Sequence, residues 1–106
     1  LDSIKSNTNI LYIVEGIFDA AKIHKTDRAA IATMGSSPSL QLWQFLFLLP
    51  YKKIAIIDND NGGSKSHFDR VDCYMPDDPY KDLGEMPVDE ADEFLSSIEN
   101  GRRKKV

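Results

Sequence analysis

The fold is decided by residues 10–16, which read ILYIVEG, and by residues 53–63, which read KIAIIDNDNGG. In each stretch a continuous apolar run precedes acidic residues and glycine. Such a run, without alternation, is typical of a strand that is buried on both faces, as in a parallel sheet covered by helices. Functional groups gather at the carboxyl ends of the strands in these sheets. The two stretches therefore predict an α/β protein whose acidic residues converge at one edge of the sheet.

Two weaker apolar segments, residues 29–33 and 71–75, complete a set of four predicted strands. Helices are predicted at residues 17–25, 40–49, 63–69 and 89–100. Ser37 is the predicted N-cap of the second helix, with Pro38 at its first position. Because strands and helices alternate along the chain, right-handed crossovers that pack helices against the sheet are expected.

Length and cysteine content restrict the class of protein further. At 106 residues the chain is expected to be a single domain, with a core of about residues 8–100 and a basic tail at residues 101–106. Its single cysteine, Cys73, excludes an internal disulfide framework and a multi-cysteine zinc site. No apolar run approaches the roughly 20 residues that span a bilayer. Because the chain begins with Leu1 and not with methionine, a fragment of a longer protein is expected.

The net charge of −4 is distributed unevenly along the chain. Residues 58–93 contain 3 basic and 12 acidic side chains. Residues 1–57 contain 6 basic and 4 acidic side chains, and residues 94–106 contain 4 basic and 1 acidic side chain. This distribution argues against a protein that holds DNA on a uniformly positive surface, and it indicates a local acidic site.

Asp58 and Asp60 are the first candidates for that site. In an extended segment, side chains two residues apart lie on the same face, where two carboxylates repel each other. A divalent cation removes the repulsion, and carboxylate oxygens without nearby His or Cys favour Mg²⁺ or Mn²⁺. Gly62 and Gly63 would let the backbone turn sharply and leave room for a phosphate. A solvated acidic turn explains this segment alone equally well, whereas an EF-hand would need further ligands and a terminal glutamate.

Glu15 favours the functional interpretation. A glutamate that ends a buried strand and is followed by glycine is unusual in a purely structural strand. If the first and third strands are neighbours, Glu15 faces Asp58 and Asp60, and three carboxylates share one crevice. The structural alternative is that Glu15 complements the positive end of the helix that follows it.

Together these motifs resemble the Toprim domain, and most closely that of DnaG-like bacterial and phage DNA primases. Residues 14–19, VEGIFD, are similar to the E-G-x-x-D motif of that family, and residues 58–63, DNDNGG, to its D-x-D-x-A-G motif. Residues 31–36 are similar to the family's strand and Gly-Ser/Thr loop, and residues 78–83 to a later acidic segment. Gly62 stands where topoisomerases of the family have a third Asp, which favours the primase-like branch.

The resemblance covers roughly residues 10–85. It implies a Rossmann-like, four-stranded parallel sheet in the order 2-1-3-4 with helices on both faces, which would place Glu15 beside Asp58. It also implies Mg²⁺-dependent chemistry on phosphodiesters, with Mn²⁺ as a substitute. Asp58 and Asp60 would bind the metal, and Asp82 would add a ligand or bind a second ion. Glu15 would be a metal ligand or a general acid/base, and Asp19 a hydrogen-bond acceptor behind the ligands.

The implied activity is the synthesis of RNA primers from nucleoside triphosphates on a single-stranded DNA template. The residues expected to bind phosphate or substrate are Gly16, Gly35, Ser36, Gly62 and Gly63. A replicative helicase is an expected partner, and the expected location is the cytoplasm of a bacterium or of a phage-infected cell, with no membrane association. A Toprim-type nuclease and a non-catalytic scaffold associated with nucleic acid are the alternatives. The isolated domain need not be active, because it lacks the zinc ribbon and the basic subdomain of a complete primase.

Three further segments carry weaker expectations. The apolar helix at residues 40–49 is interpreted mainly as core, although its aromatic residues could stack on bases. Lys22, Lys25 and Arg28 are interpreted as a solvated face, in preference to a contact with a nucleic-acid backbone. Residues 102–105 are interpreted as a disordered basic linker.

Overall fold

A four-stranded parallel sheet is the centre of the protein. The computed structural model describes residues 9–34, 39–59, 68 and 70–106. Its strands are β1 (Ile10–Val14), β2 (Ala29–Ala32), β3 (Lys52–Ile56) and β4 (Asp72–Tyr74). They pair in parallel in the order β2-β1-β3-β4. This confirms the predicted α/β fold and the predicted strand order.

Helices connect the strands along the described chain. These are α1 (Ile17–His24), α2 (Leu40–Leu48) and α3 (Val88–Glu99), and a 3₁₀ turn, Leu83–Glu85, precedes α3. The helices and strands begin and end within one residue of their predicted bounds. The predicted helix at residues 63–69 lies outside the described residues, apart from Phe68. No helix in the described part of the chain is long and apolar enough to cross a membrane.

The predicted N-cap of α2 is wrong. Ser39, and not Ser37, caps this helix, because the Ser39 Oγ accepts a hydrogen bond of 3.1 Å from the Leu42 amide. Two serines flank Pro38, and either could cap a helix by residue type alone. Ser39 caps the helix because its hydroxyl lies three residues before the Leu42 amide. In the first turn of a helix, such an amide has no backbone acceptor. Ser37 itself is outside the described residues.

Helices cover both faces of the sheet, as predicted. Side chains alternate along β1, so that Tyr12 and Val14 pack with α1 and α3 in one buried cluster. Leu11 and Ile13 point the other way and pack with Trp43 of α2 in a second cluster. Burial on both faces explains why the β1 sequence is apolar throughout and does not alternate.

The expectation that α2 is mainly core is correct for one face of the helix only. Trp43 and Leu46 are buried against the sheet. The opposite face is exposed and carries Leu40, Phe45, Phe47 and Leu48. A helix in the outer layer has the sheet on one side, so its apolar residues in excess of that stripe remain at the surface.

Arg28 is not on a solvated face, contrary to the interpretation from sequence. Its side chain is fully buried, and its Nε donates to Glu99 Oε2 at 2.7 Å. Its terminal nitrogens donate to Asp92 at 2.7 Å and to Ser96 at 3.0 Å. The Tyr12 hydroxyl donates to the same Glu99 oxygen at 2.6 Å, and burial raises the pKa of Tyr12. Partners 64 to 71 positions away in the sequence offset the cost of burying this guanidinium.

The basic tail packs against the edge of the sheet, which corrects the expectation that it is disordered. Arg103 lies over the Phe94 ring at 4.4 Å and pairs with Asp77 at 2.5 Å. This pairing lowers the pKa of the Asp77 carboxyl. The Val106 amide donates to the Cys73 carbonyl of β4 at 2.9 Å. Acidic residues around β4 and the unpaired backbone of an edge strand provide the partners for this segment.

We expect Glu99→Ala to lower the free energy of unfolding by about 3 kcal/mol, because it leaves the buried Arg28 guanidinium and the Tyr12 hydroxyl without their shared acceptor. Urea denaturation measures the effect. The control is Glu93→Ala, which removes an exposed carboxylate from the same helix and should change stability by no more than about 0.5 kcal/mol. Equal effects of the two substitutions would contradict the role assigned to the buried network.

Candidate functional site

An acidic pocket of about 400 Å³ lies at the carboxyl ends of β1 and β3. Its carboxylates are Glu15, Asp19, Asp58 and Asp82. Gly16 and three apolar residues, Ile17, Phe18 and Met34, complete the lining. The structure therefore brings Glu15, Asp58 and Asp82, which are three of the four predicted metal ligands, to a single pocket.

The pairing of β1 with β3 explains why these side chains meet. Val14 is in register with Ile56, so both strands end at the same level of the sheet. Glu15 directly follows Val14, and Asp58 follows Ile56 after one buried residue. Asp82 comes from the segment that leads into the 3₁₀ turn, which contacts α1.

Glu15 carries the clearest sign of an unsatisfied site. Its Oε1 atom is buried and has no hydrogen-bond partner in the part of the chain that the structure describes. A buried polar atom without a partner is costly, and native proteins normally supply one. A bound cation or a proton donor from a ligand would satisfy this oxygen.

Asp19 is buried, and it connects α1 to the 3₁₀ turn. Its Oδ1 accepts a hydrogen bond of 2.7 Å from the Gly84 amide, and the Gly16 amide also bonds to its carboxylate. Burial raises the pKa of the Asp19 carboxyl above its ordinary value. The two amides oppose this shift in pKa, while the charges of Asp82 and Glu15 add to it. Asp19 therefore fixes the backbone beside Glu15 and close to Asp82, as the predicted acceptor behind the ligands would.

The two glycines that bond to Asp19 lie so close to its carboxylate that a side chain at either position would make a tight contact. A Cβ atom at Gly84 would lie 3.0 Å from Asp19 Oδ1, and one at Gly16 would lie 3.1 Å from Asp19 Oδ2. Sequence reasoning assigned Gly16 to phosphate binding and did not single out Gly84. The sequence contains both motifs, E-G-x-x-D at residues 15–19 and D-L-G at residues 82–84. Only the fold shows that they touch, through the hydrogen bond from Gly84 to Asp19.

Asp82 has a structural role beside its place in the pocket. Its Oδ1 accepts a hydrogen bond of 3.0 Å from the Glu85 amide and thereby caps the 3₁₀ turn. Capping fixes this carboxylate at the pocket wall, next to the segment that Asp19 holds. This contact occupies one of its two oxygens. A role of Asp82 in metal binding stays a prediction.

Asn59 is a positioning residue that sequence reasoning missed. Its Nδ2 donates to the Pro76 carbonyl at 3.2 Å and to Asp78 Oδ1 at 3.0 Å. Its amide donates to the Lys81 carbonyl at 2.5 Å. These bonds attach the segment after β3, which carries Asp58, to the loop after β4. In the sequence Asn59 appears only as the middle residue of D-N-D, so nothing there distinguishes it from a turn residue.

Several predicted site residues fall outside the described part of the chain. These are Asp60, Gly62, Gly63, Gly35 and Ser36. Within residues 9–34, 39–59, 68 and 70–106, no three His, Cys, Asp or Glu side chains are arranged closely enough to hold one metal ion. The described side chains of the pocket therefore gather carboxylates without by themselves forming a complete protein cage for a cation.

Comparisons with family models, curated proteins and solved structures give no match to this chain.

We expect the difference in unfolding free energy between the wild type and Asp19→Asn to depend on pH. Because the pKa of Asp19 is raised in the folded state, the folded protein holds this proton more tightly than the unfolded chain does. The contribution of Asp19 to stability is therefore complete at low pH and is lost as the pH rises from about 4 through the raised pKa. Asparagine keeps the oxygen that accepts from Gly84 but carries no charge.

Denaturation in buffer with a metal chelator, from pH 3 to 7, tests this expectation. The wild type should lose stability relative to Asp19→Asn as the pH rises. A difference that stays constant over the whole range would contradict a buried, destabilised carboxylate at position 19.

Proposed function

We propose that the chain is a Toprim-type catalytic domain of a DNA primase-like protein, which joins nucleotides in a Mg²⁺-dependent transfer. The observation that carries the proposal is the pocket at the ends of β1 and β3, which Glu15, Asp58 and Asp82 line and in which Glu15 Oε1 is buried with no hydrogen-bond partner among the described residues. The primase-like assignment comes from the motifs at residues 14–19 and 58–63, which resemble that branch of the family.

The donor atoms in the pocket suit magnesium. They are carboxylate oxygens, which hard divalent cations prefer, and Glu15 Oε1 is buried with no partner among the residues that the structure describes. Mg²⁺ is commonly held by one or two carboxylates together with water and substrate phosphates, so it does not require a complete protein cage. Glu15 and Asp58 would hold the ion together with Asp60, and Asp82 would bind a second ion. When bound, the ion would neutralise phosphate charge and orient the triphosphate for in-line attack.

The other residues of the site would keep the carboxylates in place. Asp19 holds the backbone at Gly16 and Gly84, and Asn59 holds the segment that carries Asp58. Glu15 would either bind the cation or accept the proton of the attacking 3′-hydroxyl. In the transfer, that hydroxyl oxygen forms a bond to the α-phosphorus and pyrophosphate leaves.

The proposed substrates are nucleoside triphosphates and a single-stranded DNA template. A replicative helicase is the proposed partner, and the cytoplasm of a bacterium or of a phage-infected cell is the proposed location. The described residues contain no helix that could cross a membrane.

Binding of Mn²⁺ to the full chain tests the metal site directly. We expect Glu15→Gln and Asp58→Asn each to weaken Mn²⁺ binding by about 10-fold or more, because each removes a charged oxygen ligand. Electron paramagnetic resonance of free Mn²⁺ measures the affinity. Glu93→Gln, which makes the same change on the exposed side of α3, should bind like the wild type. The metal site is refuted if the wild type binds no Mn²⁺ or if the pocket variants bind as well as it does.

Activity assays distinguish the proposed function from its alternatives. Primer synthesis should need nucleoside triphosphates, template and Mg²⁺, and Asp58→Asn should reduce it by about 100-fold or more. Degradation of DNA with Mg²⁺ alone would replace the primase assignment with a nuclease. Biological function that survives Asp58→Ala would indicate a scaffold.

A further inference from the structure

One side of the acidic pocket is apolar and faces solvent. Ile17, Phe18 and Met34 line it, and their exposed fractions are 58%, 80% and 69%. A single exposed apolar residue needs no explanation, but three large ones beside a group of carboxylates form an apolar surface next to a charged one. A ligand that fills this pocket has to match both.

The backbone holds these three side chains beside the carboxylates. Ile17 and Phe18 are the first two residues of α1, directly after Glu15 and Gly16. Gly84 approaches this turn so closely that a Cβ there would lie 3.4 Å from the Phe18 Cβ. Met34 lies two residues beyond β2 with φ +63°, a conformation that is uncommon for residues other than glycine. The apolar side is thus built on the ends of regular elements.

The chemistry of the two sides defines the ligand. The carboxylates would bind a cation that carries phosphate, and a flat apolar group would stack on the exposed ring of Phe18. A nucleotide combines both in one molecule. The pocket volume of about 400 Å³ lies in the usual range for small-molecule sites.

We propose that Phe18, together with Ile17 and Met34, is the stacking surface for the base of the incoming nucleoside triphosphate. The inference rests on the proposed function, which places the phosphates of the same nucleotide on the carboxylate side. Bases stack on aromatic rings with little dependence on sequence, so all four nucleotides would be accepted.

A nucleic-acid strand suits this pocket less well than a free nucleotide. Grooves that hold single strands are positively charged and follow the phosphate backbone. No Lys or Arg of the described residues lines this pocket. Its phosphate contacts would therefore depend on a bound cation, as those of a metal–triphosphate complex do.

The test compares two triphosphates, one with a nucleoside and one without. Calorimetric titration of the full chain measures binding of Mg²⁺·ATP and of Mg²⁺·tripolyphosphate. Phe18→Ala should weaken ATP binding by about 5- to 150-fold and leave tripolyphosphate binding unchanged. Phe18→Trp should restore ATP binding, whereas Phe18→Leu, which is apolar but not planar, should not. Phe45→Ala on α2 is the matched control for an exposed phenylalanine outside the pocket, and it should change neither.

Each other outcome has a distinct meaning. If Phe18→Ala binds ATP as the wild type does, or loses both ligands equally, the stacking role is refuted while the metal–phosphate site stands. If Phe18→Ala weakens binding of a single-stranded oligonucleotide but not of ATP, the apolar side belongs to a strand and the proposal is overturned. If the wild type binds neither ATP nor tripolyphosphate, the proposed function fails, and the inference fails with it.

Discussion

The parallel pairing of β1 with β3 is the constraint on which the site depends. Because Val14 lies in register with Ile56, the chain leaves both strands at the same edge of the sheet. Glu15 and Asp58 then share one pocket, although they are far apart in the sequence. A strand order that separated β1 from β3 would place the same residues on different parts of the surface. The fold thus turns two short motifs into one local concentration of negative charge.

Such a concentration is unfavourable by itself, and the surrounding contacts show how the chain tolerates it. Asp19 is buried beside Asp82 and Glu15, and its amide donors come from Gly16 and Gly84. Glycine suits both positions, because a Cβ atom would come within about 3 Å of the Asp19 carboxylate. Glu15 keeps one buried oxygen without a described partner. A cation bound in the pocket would relieve both the repulsion and this missing contact.

Much of the fold could be predicted from the sequence, because β1 and β3 are buried on both faces and their apolar runs are continuous. Pairings between distant side chains could not be predicted. Arg28 looked like a surface cation, and only the approach of α3 brings Glu99 within 2.7 Å of it. Asn59 and Gly84 act through contacts with other loops, which leave no local pattern. The carboxylates at strand ends were predictable because parallel topology dictates where they converge, whereas Asp60 lies outside the described residues.

The proposed chemistry depends on one cation that Glu15 and Asp58 share at the end of the sheet. A crystal of the protein soaked in Mn²⁺, with anomalous diffraction recorded, tests it most directly. We expect this shared site to give an anomalous peak between the Glu15 and Asp58 carboxylates, within about 2–2.5 Å of their oxygens. This expectation would be contradicted by the absence of a peak in this pocket at saturating Mn²⁺, or by Glu15 and Asp58 side chains too far apart to share an ion.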